Sequence, residues 1–166
     1  MLQLIQTIAS LFTLLIFLVS AFVALRQLRA NAHANQLAAL QAASSHFNGT
    51  DFQRWFAFTL NDLPKKMQDP VFRDGLRADP IDRDAHPEIR LANWYEDIGI
   101  QAKFGVVDEE PLIEYLRDGT HRAWDALLPT ITLYREIWGD WNFRNFERFA
   151  QRSRAFYEKL EADSRA

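Results

Sequence analysis

The chain has 166 residues and a formal net charge of −3, from 22 acidic and 19 basic side chains. It therefore lacks the overall positive charge typical of nucleic-acid-binding domains, and we predict no nucleic-acid partner. It contains no cysteine, which excludes disulfides, thiolate nucleophiles and thiolate metal sites. The length suits one domain with an appended segment.

The N-terminal segment carries no charged side chain before Arg26. We predict a short tail at residues 1–3 and a transmembrane helix at residues 4–25, which would be about 33 Å long at 1.5 Å per residue and would match a hydrocarbon core of about 30 Å. A signal peptide would need a basic start and a shorter apolar run. A soluble core helix would be apolar on one face only. The sequence therefore favours an anchor in the lipid bilayer.

Two arginines give this anchor a direction. Arg26 and Arg29 follow the apolar run directly, and no acidic residue occurs before Asp51. Because cytoplasmic flanks are enriched in Lys and Arg, we predict a single-pass protein of the cell membrane with its N-terminus outside and its C-terminal domain in the cytoplasm.

An alanine-rich helix is predicted at residues 26–47, continuing the span as a juxtamembrane stalk. Ala30, Ala34, Ala38 and Ala42 recur at every fourth position and so share one helix face. Helix propensity alone explains so much alanine. The alternative is that these small residues allow close approach of a second helix, from a partner protein or a second copy, and they form a candidate interaction surface.

The remaining sequence predicts a helical domain at residues 48–162 and a tail at residues 163–166. Asp51 is a candidate N-cap for a short helix, and four prolines predict a long loop at residues 64–87, with a helical turn near Val71–Leu76. No run of alternating polar and apolar residues suggests a strand. Further helices are predicted at 87–105, 109–117, 121–138 (which contains Pro129) and 140–162. The fold class is therefore all-α, with a transmembrane helix, a stalk and a small bundle of four or five helices.

No established catalytic or cofactor-binding motif occurs in the sequence. The six glycines lack the spacing of a dinucleotide or phosphate loop, and the segment "DRDAH" (82–86) begins like a calcium loop but lacks its glycine and closing glutamate. His121 and Asp125 lie one turn apart, but two side chains do not make a metal site. We therefore predict no cofactor and no metal, and no enzymatic activity is assigned.

Charged side chains near the apolar helix faces give three further hypotheses. Glu96 and Arg135 are predicted to form an ion pair between two helices, which would fix their register. Glu96, His121 and Arg135 together are the alternative hypothesis, the site of a membrane-tethered enzyme. A weaker alternative is sensing of anionic lipid through Arg144, Arg148 and Arg152, which share a face of the last helix.

Three segments resemble a bacterial family known as domain-of-unknown-function family 4760. They are "LRQLR" after the apolar span, "NWYEDIGIQAKFGVVDEEPLIEYL" (93–116) and "WDALLPTITLYRE" (124–136), followed by an aromatic–Glu step at Phe146–Glu147. The resemblance covers most of the chain, except the long loop at 64–87. It implies membrane anchoring and a helical cytoplasmic domain, and it implies no activity, substrate or catalytic residue.

The leading functional hypothesis is a single-pass membrane protein with a protein-interaction or regulatory domain. Its expected partners are the lipid bilayer and either another protein or a second copy of the chain.

Overall fold

The computed structural model describes residues 1–165, with all of their side chains except those of residues 2, 4, 5 and 7–11. Within residues 1–165 there are eight α-helices and no strand, which confirms the all-α prediction. Ala166, in the predicted tail, lies outside the described residues. The helices are α1 (Leu2–Phe47), α2 (Thr50–Asn61), α3 (Leu63–Lys66), α4 (Pro70–Gly75), α5 (Pro87–Lys103), α6 (Glu109–Leu116), α7 (Gly119–Trp138) and α8 (Arg144–Ser164).

The chain divides into two compact units, Met1–Ala38 and Ala39–Ala166. The first unit consists of the N-terminal part of α1. From Phe12 onward the helix is long and apolar enough to cross a membrane, and its most apolar stretch is not buried. Length and composition support this statement, and a signal sequence meets the same two criteria.

The second unit is a bundle whose main helices are α2, α5, α7 and α8. Helix α5 packs on α8 and α2, and α7 packs on α8. The core is rich in aromatic side chains, which bury large apolar areas. Its largest fully buried side chains include Phe52, Tyr95, Phe146 and Phe149. The last turns of α1 contribute Ala39, Leu40, Ala43 and Phe47 to the same core.

The predicted loop at 64–87 contains two short helices, and this corrects its assignment as one long loop. Pro64 and Pro70 lie in the first turns of α3 and α4, where the missing N–H of proline costs nothing. The Asp69 side chain caps α4 by accepting the Val71 backbone N–H at 2.9 Å. The helical turn expected near Val71 is therefore α4. Only residues 76–86 connect α4 to α5 without an α-helix.

Two predicted helix starts are displaced. Gly49, not Asp51, is the N-cap of α2, and Asp51 lies in the first turn. Helix α8 begins at Arg144 rather than near Asp140, because Gly139 (φ 102°) and Phe143 (φ 59°) take left-handed or related conformations that interrupt the helix. The Asn142 side chain donates to the backbone oxygens of Trp138 and Gly139, and so completes the end of α7.

Candidate functional site

The side chain of Glu96 caps another helix. Its Oε2 accepts the backbone N–H of Phe146 at 2.8 Å, and its Oε1 accepts the Asn145 side-chain N–H at 2.7 Å. Both donors lie in the first turn of α8, whose N–H groups have no partner within the helix. A carboxylate is also favoured there by the partial positive charge of the helix N-terminus. Glu96 thus fixes the position of α8 on α5.

Gly99 allows the close contact that this cap requires. A Cβ atom on Gly99 would lie 2.4 Å from the Asn145 carbonyl oxygen, so the α5 and α8 backbones meet here without room for a side chain. On the preceding turn, the Tyr95 ring stacks on Phe146 with centroids 4.7 Å apart and an interplanar angle of 7°. Tyr95, Glu96 and Gly99 of the sequence "YEDIG" (95–99) therefore together form the surface that contacts the start of α8.

Arg135 joins the same junction from α7. Its Nη2 donates to Glu147 Oε2 at 2.8 Å and its Nε donates to the Asn142 carbonyl oxygen at 2.9 Å. Its guanidinium also lies 5.7 Å from the ring centroid of Trp124, a cation–π distance. Glu96 and Arg135 therefore bind separate partners and not each other, which differs from the predicted ion pair. Both side chains hold the first turn of α8, one from α5 and the other from α7.

His121 lies far from this junction. It is 14 residues from Arg135 on the same helix, about 21 Å at 1.5 Å per residue. Its nearest polar partner is Ser153 Oγ at 3.5 Å, in the middle of α8. The hypothesis of an enzyme site built from Glu96, His121 and Arg135 is therefore wrong, because the fold does not bring the three side chains together.

Two of the three arginines in the predicted lipid-sensing stripe, Arg148 and Arg152, form ion pairs with another helix. Arg148 Nη2 and Arg152 Nε lie 2.9 and 3.3 Å from the carboxylate of Glu109, at the start of α6. Arg144 donates to the backbone oxygen of Asp140 in the preceding turn. Because Arg148 and Arg152 share one carboxylate, they offer less positive charge to an anionic membrane. These ion pairs therefore argue against the lipid-sensing hypothesis.

The four alanines of the candidate interaction surface are exposed in their own units. Ala30, Ala34 and Ala38 are exposed in the first unit, and Ala42 is exposed in the second. Within the second unit, Ala42 is exposed one position before the buried Ala43, about 100° round the helix from it. Arg26 and Arg29 are also exposed.

A buried pair of titratable side chains was not expected from the sequence. His86 Nδ1 lies 2.8 Å from Glu88 Oε1, and the two side chains are 3% and 0% exposed. Burial raises the pKa of the Glu88 carboxyl, while the hydrogen bond to His86 opposes this rise. Gly75 makes room for the imidazole, since a Cβ there would lie 2.4 Å from His86 Nε2. The pair thus fixes α4 next to the start of α5.

The charged segment at 82–86 is ordered by its own side chains. The Asp82 carboxylate accepts the backbone N–H groups of Asp84 and Ala85, and these bonds lower the pKa of Asp82. Among the side chains that the structure describes, no group of three or more His, Cys, Asp or Glu residues is placed to hold a metal ion. The contacts of Glu96, Arg135 and the His86–Glu88 pair hold neighbouring helices against one another.

The chain matches the family described as "Domain of unknown function (DUF4760)" over residues 5–153. The match spans most of the sequence, so the protein belongs to this family, which confirms the resemblance seen in its motifs. No curated protein and no solved structure matches the chain significantly. This member of the family combines an N-terminal apolar helix with a helical domain.

Proposed function

We propose that the protein is a single-pass membrane protein whose helical domain is a protein-interaction or regulatory module in the cytoplasm. The observation that carries the proposal is the exposure of apolar side chains around the whole circumference of α1. Six consecutive residues, Leu14–Val19, are each 54–70% exposed. At 100° per residue, six positions pass all the way round a helix. In water this surface would be unfavourable, whereas a bilayer covers it.

The N-terminal part of α1 could remain as a membrane anchor or be cleaved off as a signal sequence. Two measurements distinguish these alternatives. An intact anchor predicts that the full chain stays in the membrane pellet after extraction with alkaline carbonate, and that its mass includes residues 1–25. A mature protein that lacks these residues and appears in the soluble fraction would contradict the proposal.

Arg26 and Arg29 support the cytoplasmic location of the domain. Both side chains are exposed at the C-terminal end of the apolar segment, where positive charge favours retention on the cytoplasmic side. Replacing both with glutamate removes this bias and adds the opposite charge, so a mixed or inverted topology is the expected result.

Two exposed features support an interaction role. The alanine face of α1 is uncovered, and small side chains allow another helix to approach closely. In the second unit, Phe104, Val106 and Trp141 are 72%, 52% and 69% exposed. Exposed aromatic side chains are enriched at sites of protein association. The partner would be another membrane protein or a second copy of this chain.

Photo-crosslinking from α1 tests the interaction. A photoreactive amino acid at Ala34 faces the proposed partner, whereas the same amino acid at Ala32, which is also exposed, lies about 200° away round the helix and serves as the matched control. We expect a crosslinked species of higher mass from position 34 in native membranes and much less from position 32. Equal yields, or monomer alone from both positions, would contradict the interaction role and leave membrane anchoring untouched.

A further inference from the structure

A small cavity in the second unit lies away from the start of α8, where Glu96 and Arg135 make their contacts. Its volume is about 310 Å³, which is at the lower end for pockets that hold small ligands. Helix α2 contributes Arg54, Trp55 and Phe58, the 76–86 connection contributes Arg83 and Asp84, and α5 contributes Arg90. Three separate segments of the chain thus converge on one concave surface, and each brings an arginine.

The lining of this cavity is positively charged. Three arginines face one carboxylate, that of Asp84, which leaves a net charge of +2 from 3 − 1. Asp51 lies 3.7 Å from Arg54, but both side chains are more than 70% exposed, so this ion pair contributes little. Asp82 is not part of the lining, but its carboxylate stays ionised, because its backbone hydrogen bonds lower its pKa, and it attracts Arg90 from outside the cavity.

One arginine of the cavity is held in place and one is without a partner. Arg90 donates from Nη2 to Asp84 at 2.8 Å and from Nε to the Arg83 carbonyl oxygen at 3.1 Å. Its guanidinium lies 5.9 Å from the Trp55 ring centroid. In residues 1–165, the Arg83 guanidinium has no hydrogen bond or ion pair. Its five N–H donors are available to a ligand.

We propose that this cavity binds an anion that carries a phosphate group. Planar guanidinium groups match the geometry of phosphate oxygens and form paired, charge-assisted hydrogen bonds with them. Trp55 and Phe58 provide an apolar wall for the organic part of the ligand. Two sources share this chemistry, a soluble phosphate ester and the headgroup of a phospholipid. The inference is independent of the interaction role proposed above.

The test uses the full chain in lipid nanodiscs and follows tryptophan fluorescence, because Trp55 lines the cavity. In the soluble arm, inorganic phosphate and adenosine monophosphate are titrated into nanodiscs of neutral phosphatidylcholine. In the lipid arm, the nanodiscs contain increasing fractions of phosphatidic acid. A saturable change in the first arm identifies a soluble phosphate, and a change in the second identifies a lipid headgroup. Either result supports the proposal if Trp55→Phe abolishes it.

Arg83→Gln tests the location of binding. Because Arg83 is exposed and has no partner in the described structure, its replacement leaves the fold intact. Loss of one charge-assisted contact is expected to weaken binding about tenfold. Arg122→Gln is the matched control, since Arg122 is an exposed arginine of α7 paired with Asp118. No saturable change in either arm would overturn the proposal, as would equal affinity in the Arg83→Gln and Arg122→Gln variants.

Discussion

The carboxylate of Glu96 lies 2.8 Å from the backbone nitrogen of Phe146, 50 residues further along the chain. This hydrogen bond joins the middle of α5 to the first turn of α8, at the point where Gly99 brings the two backbones together. Arg135 holds the same turn from α7 through Glu147. The start of α8 is therefore held by both neighbouring helices, α5 and α7.

Replacing Glu96 with glutamine should lower the free energy of unfolding by about 1 kcal/mol, because the amide keeps an acceptor but loses the charge that favours a helix N-terminus. Urea titration of the full chain in detergent, followed by far-UV circular dichroism, measures the change. Asp97→Asn is the matched control, since Asp97 is exposed on the same helix. Equal losses in the two variants would contradict the capping role.

Replacing Gly99 with alanine should be more severe, with a loss of at least about 2 kcal/mol, since overpacking against a backbone atom forces the helices apart. Gly105→Ala is the comparison, because Gly105 has a φ of +68° and no atom within 4 Å of an added Cβ. That variant should lose only about 1 kcal/mol, from backbone strain. The same urea titration ranks the two, and the reverse order would exclude close packing at Gly99.

Replacing Arg135 with lysine should lower the free energy of unfolding by about 1–2 kcal/mol, although the charge is kept. An ammonium group lacks the planar fork that reaches Asn142 and Glu147 together while resting on Trp124. Arg122→Lys, at an exposed ion pair, should change stability by less than about 0.5 kcal/mol. An unchanged midpoint for Arg135→Lys would show that the junction needs only positive charge.

The buried Glu88 should make stability depend on pH. Burial raises its pKa in the folded state, so the folded protein holds this proton to a higher pH than the unfolded chain does. The contribution of Glu88 is therefore fully present below the pKa of the unfolded state and is lost as pH rises through the raised folded pKa. Glu88→Gln should flatten this part of the stability curve, and Glu110→Gln, at an exposed position, should not. Parallel curves for the wild type and Glu88→Gln would contradict this.

Several features of the fold follow from local sequence signals. Pro87 and Gly105 mark the limits of α5 because proline is compatible with a first helical turn and glycine with a left-handed stop. The apolar and alanine-rich segments predict α1 to its end at Phe47. Each of these signals depends only on residues nearby in the sequence, so the helix limits can be predicted without knowledge of the packing.

The partners of charged side chains depend on packing and could not be predicted in the same way. Glu96 is opposite the start of α8 only because Gly139 and Phe143 delay that start by about one turn beyond Asp140. The His86–Glu88 pair is buried only because Gly75, 11 residues earlier, leaves space for the imidazole. A sequence shows that such side chains are charged, and the fold determines which groups they meet.

Labelling the two ends of the chain tests most directly whether α1 crosses the membrane once and leaves the helical domain in the cytoplasm. Because the natural chain has no cysteine, single cysteines at position 3 (Gln3→Cys) and position 163 (Asp163→Cys) report the two ends without background. Intact bacterial spheroplasts are treated with a membrane-impermeant maleimide, before and after permeabilisation. We expect labelling of position 3 in intact spheroplasts and of position 163 only after permeabilisation. Labelling of position 163 in intact spheroplasts, or loss of position 3 from the mature chain, would contradict it.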